Sequence, residues 1–211
     1  MPERPYEIRI CKSCGLRYPF VTGQPFGTRC PACMGETHVA LHHKLRTAPE
    51  RANPPTDFPR ERRVAVLLDN IRSAWNVGSI LRSADGFGFS QAYLCGISPT
   101  PENEAVTKTS LGAEDSVPWS YHKDAVKLVK GLRKMGNHIY ALEEHPGAME
   151  LGELASFPSH SILIVGNEIT GVDPGLQELC EQILFIPMRG EKKSFNVAIA
   201  FGIAAYALST K

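Results

Sequence analysis

The sequence has no long hydrophobic run, no internal repeat and almost no net charge. No stretch approaches the ~18 consecutive apolar residues of a membrane-spanning helix, so no membrane partner is expected. The opening residues, MPERPYEIRI, lack the apolar centre of a signal peptide, which favours a cytoplasmic protein. The 211 residues, 43% of them hydrophobic, suffice for one ordinary domain and a small appendage.

Charge is distributed unevenly along the chain. Residues 1–63 hold 11 Lys and Arg and 6 acidic residues, a net charge of +5, whereas residues 64–211 hold 12 and 16, a net charge of −4. A basic segment favours a polyanionic partner such as a nucleic acid. The same charges could instead solubilise a small module.

Two CxxC pairs lie within the basic segment. Cys11 and Cys14 form the first pair, and Cys30 and Cys33 form the second after 15 intervening residues. This spacing is typical of a structural zinc site with four thiolate ligands. Disulfides are the alternative, but they are rare in cytosolic proteins. We therefore predict a zinc-ribbon-like module over residues 1–46, held together by the metal.

This module also contains candidates for RNA binding. Its aromatic residues could stack on bases or form a miniature core, and a ribbon this small more often uses them as a core. They are Tyr18, Phe20 and Phe26. The cations that could contact phosphates are Arg9, Lys12, Arg17, Arg29, Lys44 and Arg46.

A proline-rich stretch separates the module from the rest of the chain. Residues 47–62 contain four prolines, which predicts a semi-rigid linker. Beyond it, apolar runs such as VAVLLD, HIYALE and SILIVG alternate with helical patterns. This alternation predicts an α/β domain over residues 63–211, with a mostly parallel sheet and helices on both faces. Ligands of such sheets bind outside the carboxyl ends of the strands.

Three glycine-marked segments follow strand or helix ends and suggest one dispersed binding site. They are NVGSILRSADGFG, ILIVGNEITGV and FIPMRGEKKSFNVAIAFGIAAY, at 76–88, 162–172 and 185–206. In each, glycine lets backbone approach a ligand, and a polar side chain stands beside it.

The polar residues of these segments allow specific expectations. Asn76 is expected to cap a helix, and Gly78 to leave room for a phosphate or ribose beside Arg82, although Arg82 could be an ordinary surface residue. Glu168 could orient a substrate hydroxyl or fix its own loop. Ser194 is expected to cap a final helix that is apolar nearly all round and therefore buried, with a polar residue at its mouth.

Taken in order, NxGxxxR with a following FG, VGNExxGV and IPMxGxxxSxNVAxA resemble the three motifs of SpoU-type (TrmH-like) RNA ribose 2′-O-methyltransferases of the SPOUT superfamily. The resemblance covers about residues 62–209, and KTSLGAEDSVPW at 108–119 also resembles a segment common in these enzymes. Phe195 and Ala198 depart from the family's usual leucine and serine. The resemblance implies an α/β fold with a C-terminal trefoil knot.

The resemblance also implies an activity and a set of site residues. The activity is methyl transfer from S-adenosylmethionine to a ribose 2′-hydroxyl in structured RNA, either tRNA or rRNA, by a homodimer that does not act on DNA. The family's polar active-site positions are occupied by Asn76, Arg82, Glu168, Ser194 and Asn196. The cofactor is expected against Leu142, Gly166, Ile186, Met188 and Phe195.

Arg82 is expected to position the RNA, because a guanidinium group is always protonated and makes a poor base. It would grip the phosphate beside the target ribose. Two alternatives stay open: a non-catalytic RNA-binding or ribosome-assembly factor with the same fold, and a knotted enzyme that methylates a base. The NxGxxxR segment favours ribose over a base.

Overall fold

The computed structural model describes residues 5–21, 27–44, 63–192 and 194–210. Contacts divide the chain into two compact units, residues 1–57 and residues 58–211, called here the N-terminal unit and the C-terminal unit. The predicted linker, residues 47–62, lies outside the described residues, as does Phe26.

The N-terminal unit contains a small antiparallel sheet. Its strands are β1 (Pro5–Cys11), β2 (Arg17–Val21) and β3 (Thr37–Lys44), with β1 in the middle. Burial alternates along β2, where Tyr18 and Phe20 are buried, Arg17 and Pro19 are exposed and Val21 is half-buried. These two aromatic residues therefore form the miniature core that the sequence favoured.

The C-terminal unit is built on a seven-stranded sheet. Its strands are β4 (Val64–Asp69), β5 (Gln91–Cys95), β6 (Trp119–His122), β7 (His138–Leu142), β8 (Met149–Glu150), β9 (Ser161–Val165) and β10 (Gln182–Phe185). They lie in the order β6-β5-β4-β9-β7-β10-β8, and all the pairings between these described strands are parallel. The carboxyl ends of β4, β9, β7 and β10 thus meet along one edge of the sheet.

Helices cover both faces of this sheet. They are α1 (Ala74–Gly86), α2 (Glu104–Ser110), α3 (Ala113–Ser116), α4 (Ala125–Lys134), α5 (Pro174–Gln177) and α6 (Val197–Ser209), with a 3₁₀ turn at Leu151–Glu153. Every residue of β4 and β9 is buried, as expected for central parallel strands. One hydrophobic cluster joins the sheet to α1 and α6, and the other joins it to α4 and α5.

The predicted parallel α/β fold with helices on both faces is therefore confirmed. The trefoil knot, which concerns how the C-terminal segment is threaded, stays a prediction. Among the described residues, no helix is both long and apolar enough to cross a membrane.

Two helix caps differ from the expected ones. Ser73, not Asn76, caps α1, and its Oγ accepts from the Asn76 N–H at 3.4 Å. Asn196, not Ser194, caps α6, and its Oδ1 accepts from the Ala198 N–H at 2.9 Å. Both segments offer two capping residues close together; α1 uses the earlier one and α6 uses the later one.

The expectation that α6 is buried all round is also wrong. Phe201 and Leu208 pack into the core, but Ile199, Ile203 and Tyr206 are 56%, 38% and 63% exposed. Positions separated by three and four residues share one side of a helix. One side of α6 is therefore an exposed apolar stripe.

Candidate active site and metal centre

A cavity of about 350 Å³ lies at the carboxyl ends of β7 and β10, beside the loop after β9 and the start of α6. Its volume is typical of a small-molecule site. Most of the residues predicted for catalysis or cofactor binding line it: Leu142, Glu168, Ile186, Met188, Ser194, Phe195 and Asn196. The other three, Asn76, Arg82 and Gly166, lie outside the lining.

Side chains from all three glycine-marked segments form one hydrogen-bonded chain beside this cavity. Asn76 Nδ2 donates to Glu168 Oε1 at 2.9 Å, and Asn196 Nδ2 donates to Asn76 Oδ1 at 3.1 Å. Asn196 Oδ1 in turn accepts from backbone N–H groups in the first turn of α6. The fold thus joins residues that are 92 and 120 positions apart in sequence.

The groups at the two ends of this series of hydrogen bonds, the Glu168 carboxylate and the α6 backbone, determine the direction of each bond. An ionised carboxylate only accepts, so Asn76 turns its NH₂ toward Glu168 and its carbonyl toward Asn196. The backbone N–H groups of α6 only donate, so Asn196 turns its carbonyl toward the helix and its NH₂ toward Asn76. One N–H of the Asn196 amide is left without a bond to the described residues.

Glu168 is held by the backbone that leads into α1. Its Oε2 accepts from the Arg72 N–H at 2.9 Å, and its Oε1 accepts from the Ser73 N–H at 3.1 Å. Burial alone would raise the pKa of Glu168, but these bonds and the one from Asn76 lower it below its usual value. The contacts match the loop-fixing interpretation of Glu168, and a carboxylate with a lowered pKa is a weak base.

Arg82 lies on the exposed surface of α1. Six residues beyond Asn76, it is about 9 Å further along the helix axis and about 240° around it. Its side chain makes no hydrogen bond or ion pair with the described residues. Its guanidinium group is therefore available to an external anion.

Two glycines serve packing within the fold. A Cβ at Gly78 would come within 1.9 Å of Thr109 Oγ1 and 2.3 Å of the Val106 carbonyl oxygen. The expectation that Gly78 leaves room for a ligand is wrong, because α2 fills that space. A Cβ at Gly166 would come within 2.3 Å of the Gly171 backbone, so Gly166 allows the loop after β9 to close on itself.

Sequence reasoning missed two residues that shape the cavity. Glu143 lines it, and its Oε2 accepts from the Val172 N–H at 2.9 Å, tying the end of β7 to the loop after β9. Asn167 also lines it; its Oδ1 accepts from the Ile169 N–H at 2.9 Å, and its Nδ2 donates to the Asn70 carbonyl at 2.6 Å. Both residues closely follow the carboxyl end of a buried strand. A polar residue at such a position could have identified them from the sequence.

In the N-terminal unit, the four predicted cysteine ligands converge. Their Sγ atoms all lie within 4.8 Å of one another, with Cys11 3.5 Å from Cys33 and Cys14 3.6 Å from Cys30. Sulfur ligands at about 2.3 Å from a tetrahedral zinc ion are about 3.8 Å apart, so this arrangement fits zinc. None of the four cysteines forms a disulfide.

Two thiols of the cluster have pKa values shifted in opposite directions. The backbone N–H of Cys14 is the main cause that lowers the pKa of Cys11 to about 6. The N–H of Gly35 acts in the same direction on Cys33, but hydrogen bonding among the neighbouring thiols raises the pKa of Cys33 to about 12. Cys11 and Cys33 therefore do not ionise over the same pH range, and a bound cation would favour the thiolate form of both.

Residues 63–206 match the SpoU rRNA methylase family. The chain belongs to the SpoU family. All ten residues predicted for catalysis and cofactor binding lie within the SpoU match, and the four cysteines precede it.

Known SpoU proteins resemble the chain in sequence and fold. The 23S rRNA (guanosine(2553)-2′-O)-methyltransferase RlmP of Bacillus subtilis is 30% identical over 148 residues, which cover 69% of this chain and 58% of RlmP. An AdoMet-bound rRNA methyltransferase from Sinorhizobium meliloti has a TM-score of 0.67 and 26% identity, covering 72% of this chain and 57% of that one. The TrmH/SpoU tRNA modifying enzyme of A. aeolicus has a TM-score of 0.63 and 27% identity, covering 71% and 77%. This chain spans only 57 to 58% of the length of the first curated relatives that it matches.

Proposed function

We propose that this protein transfers a methyl group from S-adenosylmethionine to a ribose 2′-hydroxyl of ribosomal or transfer RNA. The observation that carries the proposal is the hydrogen-bonded chain of Glu168, Asn76 and Asn196 beside the 350 Å³ cavity. The relatives support the reaction class, since RlmP is a 23S rRNA 2′-O-methyltransferase and the Sinorhizobium meliloti enzyme is AdoMet-bound.

The cavity suits a cofactor with both apolar and polar parts. When bound, S-adenosylmethionine supplies a methyl group activated by its sulfonium sulfur. Leu142, Ile186 and Met188 offer apolar walls, and Phe195, 40% exposed, offers a ring at the mouth. Gly166 acts indirectly, because the tight loop that it permits holds the wall that carries Glu168.

The polar residues take different roles in this proposal. Glu168 positions Asn76, and Asn76 positions Asn196, whose remaining N–H and the exposed Ser194 hydroxyl can align the ribose. Arg82 binds the adjoining phosphate in a planar, two-point grip. Arg82→Lys is therefore expected to lose turnover, because an ammonium group cannot reproduce that geometry. Retained turnover would contradict the grip.

We also propose that two copies pair in the cytoplasm through the exposed stripe of α6. An apolar stripe of Ile199, Ile203 and Tyr206 suits the hydrophobic interface of a stable dimer. Ile203→Glu is expected to shift the protein from dimer to monomer in sedimentation. Met135→Glu, at a residue 72% exposed next to α4, should leave the dimer intact. Sedimentation as a monomer without any substitution would remove this part of the proposal.

The four cysteines are proposed to bind zinc in a structural role. Four thiolates complete a tetrahedral shell and leave no open position for a substrate. The metal would then stabilise the N-terminal unit and take no part in methyl transfer.

The deciding experiment for the activity uses S-adenosylmethionine labelled in its methyl group. The purified protein is incubated with total rRNA or total tRNA from a strain that lacks the gene, and the digested RNA is analysed for labelled nucleosides. Label in a 2′-O-methyl nucleoside supports the proposal and identifies the RNA class. Label in a methylated base, or cofactor binding without any transfer, would contradict it.

A further inference from the structure

The sheet of the N-terminal unit has two unlike faces. Directly opposed residues of an antiparallel sheet share a face. The register aligns Glu7 of β1 with Phe20 of β2 and with His42 of β3, so these three residues lie on one face, called here the inner face. On this inner face Arg9 pairs with Glu7, lies over the Phe20 ring and donates to Thr37. His42 Nδ1 lies 3.7 Å from Glu7. Glu7, the only acidic residue in the described strands of the N-terminal unit, is thus paired with Arg9 on the inner face.

The opposite face is open and differs in composition. The register aligns Tyr6 with His43, Ile8 with Leu41, and Ile10 with Arg17. The register assigns nine described residues to this open face: Tyr6, Ile8, Ile10, Arg17, Pro19, Val21, His38, Leu41 and His43. Leu41 is 48% exposed although it is a large hydrophobic residue, and Arg17 and His43 are exposed. Among the residues that the register assigns to this face, none is acidic.

The open face has both features of a surface that binds single-stranded nucleic acid. The rings of Tyr6 and His43 are stacked, with centroids 5.7 Å apart and planes 21° apart. A nucleobase can extend such a stack, and Arg17, opposite Ile10 and about 13 Å further along the sheet, can bind a phosphate of a following nucleotide. Four thiolates and one zinc ion together add −2, so residues 1–63 of the zinc-loaded protein carry about +3, which still complements a polyanion.

We propose that the open face binds a single-stranded segment of RNA. Bases stack on the Tyr6–His43 pair and contact Ile8 and Leu41, while Arg17 binds the backbone. A duplex is a poorer ligand, because its base faces are already stacked on one another. This binding goes beyond methyl transfer and requires no step of it.

Two adjacent histidines give the test a matched pair. His43 lies on the open face and His42 on the inner face of the same strand. Labelled single-stranded oligouridine is titrated with the full-length, zinc-loaded protein, and binding is followed by fluorescence anisotropy without S-adenosylmethionine. His43→Ala and Tyr6→Ala are expected to raise Kd about tenfold, the loss of one stacked base. His42→Ala should leave Kd unchanged.

Further variants separate binding from folding. Tyr6→Phe keeps the ring and should bind as the unsubstituted protein does, and zinc content reports whether each variant is folded. Arg17→Gln should reduce the slope of log Kd against log salt by about 0.7 to 1. Equal affinities for His43→Ala and His42→Ala would overturn the proposal, as would an equal loss with a duplex probe. The proposal would also be overturned if His43→Ala or Tyr6→Ala changed the sedimentation coefficient of the protein but left its RNA affinity unchanged. That result would show that a second copy of the protein occupies the open face.

Discussion

The two units of this chain are stabilised by different means. In the described part of the N-terminal unit, the buried hydrophobic residues are Cys11, Tyr18, Phe20 and Cys30, and two of these four are candidate metal ligands. In the C-terminal unit, two hydrophobic clusters cover both faces of a parallel sheet. With the proposed zinc bound, a metal would take the place of a core in the first unit, whereas the second unit depends on packing.

Metal removal should produce the largest difference in stability between the two units. Zinc contributes on the order of 10–16 kcal/mol to small zinc domains, so a chelator or Cys30→Ser is expected to unfold the N-terminal unit. Both tryptophans, Trp75 and Trp119, lie in the C-terminal unit, so tryptophan fluorescence should show an unchanged melting temperature. Amide dispersion in NMR spectra reports the loss in the N-terminal unit.

The control for this prediction is Cys180→Ser, which leaves the four-cysteine cluster intact. It should retain one zinc ion per chain. A chelated protein that keeps the amide dispersion of the N-terminal unit would contradict the idea that metal replaces a core there.

The same contrast explains how much of the fold could be predicted. The strands β4, β5, β7, β9 and β10 follow apolar runs, since a central strand covered on both faces needs apolar side chains at consecutive positions. The edge strands β6 and β8 were missed, because they are short and their residues are partly exposed. The sheet of the N-terminal unit was not predicted strand by strand, because its short strands contain prolines, histidines and charged residues and show no regular apolar alternation.

At the candidate active site, the sequence indicated which residues lie near the cavity, but it did not predict what those residues contact. Asn76 was expected to cap a helix, but it bridges Glu168 and Asn196. Gly78 was expected to face a ligand, but it faces α2. Spacing along one segment shows which residues share a side of a helix, and it does not show which distant segment packs against that side.

Gly78→Ala should show how strongly the C-terminal unit depends on packing. The new methyl group would collide with Thr109 and the Val106 carbonyl, so we expect a loss of about 1–3 kcal/mol in the free energy of unfolding. Gly131→Ala in α4 is the matched control, since a Cβ there meets nothing within 4 Å. The control should gain about 0.5–1 kcal/mol. Unchanged stability with lost methylation in Gly78→Ala would contradict the packing explanation and restore a ligand role.

Asn196→Asp should change the polar contacts beside the cavity without changing the packing of the C-terminal unit. Aspartate still caps α6, so the melting temperature should hold, but it turns an acceptor toward the Asn76 carbonyl oxygen. A lost hydrogen bond of this kind costs about 1–2 kcal/mol, or roughly 5- to 30-fold in methyl transfer. Asn103→Asp makes the same change at the cap of α2 and should leave transfer unaffected. Unaltered transfer by Asn196→Asp would mean that the hydrogen-bonded chain does not position the substrate.

The smallest expected effect is a pH dependence at Glu168, where charge rather than metal or packing holds a loop. Its pKa is lower in the folded protein, so its stabilisation is fully present above the unfolded value of about 4.3 and is lost as pH falls through the folded value. The melting temperature of Glu168→Gln should therefore lie below that of the unsubstituted protein at pH 6 and approach it below pH 4. Tryptophan fluorescence measures both, and Glu153→Gln serves as a control at another exposed carboxylate. A difference in melting temperature between the two proteins that stayed constant down to low pH would mean that the shape of Glu168, and not its charge, fixes the loop. The C-terminal unit would then depend on packing even at its active site.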